Sequence, residues 1–297
     1  MDDGIFASPS DTEIDQAITE IGLKFDIEDQ GTLNEYIGVN IQSLPNGKVK
    51  LSQHHLIDQI INLAQRAPLQ STPANSIVIL QRDLSAPPFN HWFHYRSIVG
   101  NNNFLRKCTR GNISNATHQV TRFCEYTRRR QGAAIKHLSG YISGTQDDRL
   151  ILDLNHAKSF EVYPDADFCG NQYKSTASND PLISKSRSGY LLVYVWCPIV
   201  WASKMKMVTA VPSTESESVF LQQSLRYLIP LMGLMKEMKF FGFEIFSQEP
   251  IVHCKEFEDN SGAIEFIRLP KIRPHTKHIN VLFHQFREYE LTGSLYE

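Results

Sequence analysis

Glu161-Val162-Tyr163-Pro164-Asp165-Ala166-Asp167-Phe168 reads as a strand that ends on carboxylates. Two later stretches take their meaning from it. Ser213-Thr214-Glu215-Ser216-Glu217 opens a helical pattern that Ser213 or Thr214 would cap, with Glu217 in its early turns. Asp259-Asn260-Ser261-Gly262-Ala263-Ile264 follows an apolar run and opens a second helix-like stretch. Strand end, helix start and strand end are the places where an α/β sheet gathers side chains into one crevice. Three carboxylates gathered there repel one another unless a cation lies between them. Hard oxygen ligands suit magnesium, with manganese able to take its place. The trio Asp165, Glu217 and Asp259 therefore points to metal-assisted cleavage of a phosphodiester. Asp167 shares a strand face with Asp165 and is an alternative ligand.

Upstream of this segment the pattern has two parts. Ser10-Asp11-Thr12-Glu13 has the form of a capping box, followed by Ile14, Ala17, Ile18 and Ile21 at helical spacing. Tyr36 to Ile41 and Lys48 to Leu51 flank Asn46-Gly47, a hairpin signal. Ser52 is a candidate cap for a helix carrying Leu56, Ile57, Ile60, Ile61 and Ala64 on one side. Residues 67–90 lose periodicity, gain Pro68, Pro73, Pro87 and Pro88, and read as a linker. A helical region in two pieces follows, broken at Thr109-Arg110-Gly111-Asn112. Its second piece carries Ile113, Ala116, Val120, Phe123, Ala133, Ala134, Leu138 and Ile142. Downstream, Tyr190 to Ala202 reads as two buried strands joined at Cys197-Pro198. A long helix bends at Pro230, a strand covers Ile251 to Phe257, and helices cover Ser261 to Arg268 and Lys277 to Glu290.

Hydrophobic residues make up 41% and charged residues 21% of 297, the balance of a soluble globular chain with room for two domains. The formal net charge of -2 is not that of a polyanion binder, but its distribution is uneven. From Arg96 to Lys136 there are nine Lys or Arg (Arg96, Arg106, Lys107, Arg110, Arg122, Arg128, Arg129, Arg130, Lys136) against one acid, Glu125. Such a block is either a solvated face or a phosphate-contacting surface. The five cysteines are scattered without a CxxC pair, which excludes a zinc ribbon and fits an intracellular protein, cytoplasmic or nuclear. No run spans a bilayer and the first residues do not form a signal peptide, so no membrane role follows. His275, His278 and His284 have no suitably spaced cysteine partner for zinc.

The motifs, taken in order, resemble the polyprotein of copia-type retrotransposons, from the catalytic end of the reverse transcriptase into the ribonuclease H domain. Met1-Asp2-Asp3 resembles the tail of a Tyr-x-Asp-Asp motif, and Tyr36 to Ile41 the strand pair that grips the primer. Tyr95-Arg96-Ser97-Ile98-Val99-Gly100 and His118 to Phe123 are similar to thumb segments. Tyr163 to Gly170 resembles Tyr-Ser-Asp-Ala-Asp-Trp-Ala-Gly. Ser186 to Tyr190, Val200 to Lys204, Ser213 to Glu217, Asp259-Asn260 and Thr276 to Ile279 keep the family's order.

The resemblance implies an α/β (α+β) fold: a ribonuclease H-like mixed sheet flanked by helices, preceded by a helical thumb and a partial palm. The expected division is residues 1–75 for the palm with its primer-grip-like hairpin, 76–148 for the basic thumb and connection, and 149–297 for a C-terminally truncated ribonuclease H-like domain. It implies Asp165, Glu217 and Asp259 as magnesium ligands for hydrolysis of RNA in RNA–DNA hybrids by two-metal chemistry. It makes Asp2 and Asp3 remnants of the polymerase motif. The expected nucleic-acid contacts are Arg96, Arg106, Lys107, Arg122, Arg128, Arg129, Arg130 and Lys136, and the expected partners are nucleic acid and the rest of the polyprotein.

The departures imply a fragment or a decayed copy. The earlier palm aspartate is absent, so polymerisation by this chain alone is not expected. No Ala-Asp-x-x-Thr-Lys segment follows to supply a fourth carboxylate, Asn280 and Glu258 stand where the family has Asp and often Cys, and Trp196-Cys197 replaces a glycine-rich turn. The alternative is a nucleic-acid-binding remnant that has lost its chemistry.

Overall fold

The computed structural model describes residues 4–65, 67–75, 80–82, 86–89, 94–154, 159–167, 187–205, 213–245, 254–256 and 295–296, with the backbone alone at 165–167, 213–223, 254–256 and 295–296. These residues build a mixed α/β architecture with two sheets and two hydrophobic cores.

The first sheet is antiparallel, in the order β1 (Glu35–Tyr36), β2 (Val39–Ser43), β3 (Val49–Ser52) and β4 (Leu150–Leu152). The hairpin expected at Asn46-Gly47 is present. The Leu44 amide donates to the Lys48 carbonyl at 2.8 Å, and Asn46 and Gly47 take φ of 66° and 74°. Asn tolerates that left-handed conformation and Gly has no Cβ to resist it. Strand β4 lies beyond residue 148 in the chain yet pairs with β3, with Val49 opposite Leu152.

Helix α1 (Asp11–Gly22) begins after Ser10, but the expected capping box does not form. The Ser10 hydroxyl is engaged with that of Thr12, and Glu13 accepts from Ser8. Its apolar stripe buries no residue. Helix α2 (His54–Leu63) starts from Gln53, because Ser52 is taken up by β3. Its Ile57 and Ile60 enter a core shared with α3 (Tyr95–Cys108), α4 (Ser114–Thr121) and α5 (Arg129–Gly144), where Ile98, Leu105, Ile113, Ile135 and Ile142 are all fully buried. The basic region is thus three helices rather than two pieces. Residues 122–128 leave helical geometry after Thr121, although Phe123 stays in the core. Ala133, expected on the packed side, is exposed.

The proline-rich segment is a strap laid on α5, not a free linker. Leu80 and Phe89 are buried in the helical core. The Thr72 carbonyl meets His137 Nε2 at 2.9 Å, and Gln131 Nε2 donates to the Gln81 carbonyl at 2.9 Å. The strap lies so close that a Cβ at Gly140 would stand 1.9 Å from the Pro68 carbonyl oxygen.

Arg110 is also structural. It is only 3% exposed, donates to the Thr145 carbonyl at 2.9 Å and hydroxyl at 2.7 Å, and lies 3.6 Å from Asp148. These bonds satisfy carbonyl and hydroxyl groups at the end of α5, where helices leave acceptors open.

The second sheet has the order β7-β6-β5-β8-β9, formed by β5 (Phe160–Asp167), β6 (Arg187–Tyr194), β7 (Cys197–Met205), β8 (Cys254–Glu256) and β9 (Leu295–Tyr296). Strands β5, β6 and β7 pair antiparallel, whereas β5 with β8 and β8 with β9 pair parallel. The β6–β7 turn falls at Val195-Trp196 rather than at Cys197-Pro198, and both residues hold positive φ, 46° and 72°. Glycine normally supplies such angles, so a two-residue turn survives here without it. Helix α6 (Ser213–Phe240) contains Pro230 and packs Leu225, Leu228 and Met232 on Phe160, Val162 and Leu192. The expected helices at Ser261 to Arg268 and Lys277 to Glu290 lie outside the described residues. Among the described residues no helix is long and apolar enough to cross a membrane.

The two cores meet along a seam between α4 and β7. Trp201 of β7 donates its indole N–H to the Arg106 carbonyl at 2.6 Å, and its ring lies so close to Gly111 that a Cβ there would be 3.0 Å away.

Candidate functional site

Strand β5 is the centre of the second sheet, with β6 on one side and β8 on the other. Because β5 and β8 run parallel, both point towards the same end of the sheet, with Glu256 of β8 opposite Val162. Strand β7, antiparallel to β6, points that way too. Asp165 lies near the end of β5 in register with Gly189, and Asp167 is in register with Arg187. Glu217 is four residues inside the start of α6. At these acids the backbone alone is described, and Asp259, Asp2, Asp3, His275, His278 and His284 lie outside the described residues. Among the described residues no group of three His, Cys, Asp or Glu is gathered as a metal site. The expected trio offers carboxylate oxygens alone, a donor set that fits magnesium or manganese.

The basic residues form two exposure classes. Arg96, Lys107, Arg129 and Arg130 are exposed, and Arg106, Arg122, Arg128 and Lys136 are half-buried. Several are held by local bonds. Arg96 Nε donates to the Cys124 carbonyl at 3.0 Å, Arg106 Nε to Asn103 at 2.8 Å and Arg122 Nη1 to Gln119 at 3.0 Å. Arg96 and Arg128 line a cleft of about 530 Å³ with His94 and Tyr126. Arg129 and Arg130 begin α5, whose first turn has no acid. Cations there oppose the helix dipole.

Three further residues extend this surface across the seam. Arg187 of β6, 8% exposed, donates from Nη1 to Ser203 at 3.1 Å and to Nδ1 of His118 at 3.3 Å. A guanidinium has no acceptor, so His118 Nδ1 carries the lone pair and the imidazole is the neutral Nε2–H tautomer. Burial, then Arg187, Arg106, Arg122 and Lys204 in that order, pull the His118 pKa down from 6.5 to about 4. The sequence signal for His118, Arg187 and Lys204 was their presence in ordered motifs; that they meet at one seam depends on tertiary packing.

This depressed pKa has a consequence for stability. Between pH 6.5 and about 4 the unfolded chain holds a proton on this ring that the folded chain does not. Stability contributed by neutral His118 is present above pH 6.5 and is lost as pH falls through that window. After discounting for partial solvent exposure, the loss between pH 7 and pH 4 is about 1–2 kcal/mol. Urea unfolding at both pH values should show a smaller difference for His118→Asn than for the unsubstituted protein. An unchanged difference refutes the linkage.

No family model matches the chain. It is similar to the retrovirus-related Pol polyprotein from transposon TNT 1-94 of Nicotiana tabacum, 26% identical over 278 residues that cover 91% of this chain and 19% of that protein. The corresponding polyprotein from transposon RE1 of Arabidopsis thaliana is 23% identical, over 99% of this chain and 19% of its own length. A putative transposon Ty5-1 protein of Saccharomyces cerevisiae is 27% identical over 74% of this chain and 69% of its own length. The chain thus spans about a fifth of the length of the Pol polyproteins, and its homologues are retrotransposon polyproteins.

Proposed function

We propose that this chain is a segment of a retrotransposon polyprotein whose second sheet hydrolyses the RNA strand of an RNA–DNA hybrid. The observation that carries the reading is chain direction: β5, β7 and β8 run the same way and point towards one end of the sheet. Asp165 lies near the end of the first of these strands, Glu217 in the first turns of the helix after the second, and Asp259 follows the third in sequence. A mixed sheet covered by a long helix fits the ribonuclease H-like expectation, and similarity to Pol polyproteins over nearly the whole chain agrees with it. On this reading residues 1–75 derive from a palm, 76–148 from a thumb and connection, and 149–297 from the ribonuclease H-like domain.

The roles follow from charge. Asp165, Glu217 and Asp259 would hold magnesium, which supplies the positive charge that activates water and stabilises the leaving oxygen. The Arg and Lys residues of α3, of α5 and of the segment between α4 and α5 bind and orient the strand through its phosphates. Arg129 and Arg130 support this role, because cations at the start of a helix are unfavourable unless an anion offsets them. Specificity for RNA within a hybrid would come from 2′-hydroxyl contacts and helix shape.

Labelled hybrid incubated with the protein and magnesium should be cut in its RNA strand, and chelation should stop the reaction. Asp165→Asn should lower the rate by about 100-fold or more, since even outer-shell partners of a metal are worth 10–100-fold. Absence of cleavage by the unsubstituted protein, with hybrid binding retained, would leave the second reading, a binding remnant without chemistry. One observation favours that second reading: Arg187, His118 and Ser203 form a bonded set at the seam that uses no acid.

A further inference from the structure

The seam between α4 and β7 joins cations from both cores. Arg106 comes from α3, His118 from α4, Arg122 from the residue that caps α4, Arg187 from β6 and Lys204 from β7. Arg187 is fixed from two sides, by Ser203 and by the His118 ring. That arrangement turns the Nε2–H of His118 away from Arg187, and no described residue accepts it. Among the described residues, Arg106, His118 and Lys204 form no ion pair with a carboxylate. Arg187 is the register partner of Asp167 and lies two residues from the partner of Asp165. The cluster therefore adjoins the carboxylate-bearing end of β5.

We propose that this seam is a phosphate site, taking one backbone phosphate of a bound nucleic-acid strand between Arg106, His118, Arg122, Arg187 and Lys204. The proposal rests on the nucleic-acid reading above and adds His118, Arg187 and Lys204 to its contacts. It uses the helical core and the second sheet together, so one phosphate would fix the strand relative to both. Charge chemistry selects the ligand: guanidinium, ammonium and an imidazole N–H all donate, none accepts, and a phosphate oxygen answers each of them.

The neutral ring makes occupancy readable. Among the described residues, the charged groups facing His118 are Arg106, Arg122, Arg187 and Lys204, and their cationic field is part of what keeps it deprotonated. A bound phosphate anion offsets part of that field and lets the imidazole take up a proton. If binding restores His118 to about pKa 6 from about 4, a strand phosphate, whose single charge is constant over this range, binds about tenfold more tightly at pH 5 than at pH 7, by linkage.

Two measurements test this. Inorganic phosphate, followed by NMR of the imidazole, should raise the His118 titration midpoint from about 4 towards 6. A fluorescent oligonucleotide, followed by anisotropy over a salt series, should lose about 0.7–0.9 from its log–log salt slope with Lys204→Gln, and a similar amount with Arg106→Gln. Lys204 is exposed, so its variant is not expected to disturb folding. Lys236→Gln, the same charge change on the exposed side of α6, should leave affinity within about twofold. A His118 midpoint unmoved by phosphate overturns the site. A moved midpoint with unchanged oligonucleotide slopes overturns the strand assignment and leaves a free-anion site. Loss of hybrid cleavage with both results intact removes the nuclease reading and leaves the seam standing.

Discussion

Gly140→Ala should destabilise the helical core by about 3 kcal/mol, the upper end of the usual cost of overpacking. The added methyl would sit 1.9 Å from the Pro68 carbonyl oxygen and 3.0 Å from its carbon. Backbone cannot rotate away as a side chain can, so α5 or the strap must move. Movement of the strap endangers the Thr72–His137 contact and the packing around Gly144, where Leu69 and Gln70 lie. Gly100→Ala in α3 is the opposite case. It is exposed, nothing lies within 4 Å of its added Cβ, and alanine there should gain up to about 1 kcal/mol of helix propensity. Urea unfolding followed by far-UV circular dichroism compares the two, and equal effects would remove the claim that the strap is packed on α5. Since the protein has two cores, Gly140→Ala should move the transition of the helical core first.

That strap shows where the sequence was silent. Pro68, Pro73, Pro87 and Pro88 signalled an irregular segment, and its described residues are irregular. What periodicity does not report is which helix face an irregular segment covers. Gly132 and Gly140 within the α5 pattern were the local sign, because glycine inside a helix costs stability unless something approaches closely. The hairpin at Asn46-Gly47 and the apolar side of α2 were legible because turn chemistry and helical spacing are local properties. Ser10 and Ser52 were misread for the converse reason. Competing hydroxyls occupied Ser10, and a strand extended one residue further to take Ser52. Arg110 carries the same lesson for charge: counted with a basic surface, it is buried against the end of α5. Around the candidate site, the strand that carries Asp165 and the helix that carries Glu217 were legible from local pattern. The seam was not, since His118 and Arg187 are 69 residues apart and meet only when the two cores pack.

Phe160→Ala should cost about 3–5 kcal/mol, the usual range for removing a buried phenylalanine. Phe160 is 1% exposed, begins β5, and packs with Val162 and Leu192 beneath Leu228 and Met232 of α6. Its ring also stacks at 4.7 Å on Tyr194 across the β5–β6 pair. Alanine removes the aromatic contact and leaves a cavity where the central strand meets its covering helix. Against a total stability of about 5–15 kcal/mol for a typical domain, this is a large fraction. Tyr227→Ala on the same helix should cost about 1 kcal/mol, because Tyr227 is 44% exposed and its ring meets Tyr190 at 5.4 Å. Trp196 and Trp201 lie on β7 and its turn, so their fluorescence reports unfolding of this sheet. The two substitutions also separate structure from chemistry. Both leave every proposed metal ligand and phosphate contact in the chain, so any loss of hybrid cleavage must come through the position of β5. Phe160→Ala should lower cleavage at temperatures where the sheet begins to open and recover it on cooling towards 10 °C, near the usual stability maximum of about 10–20 °C. Asp165→Asn should stay about 100-fold or more below the unsubstituted protein at every temperature. A Phe160→Ala protein as stable as the original would mean that α6 does not hold β5 through this ring, and the link between core and candidate site would fail at its first step.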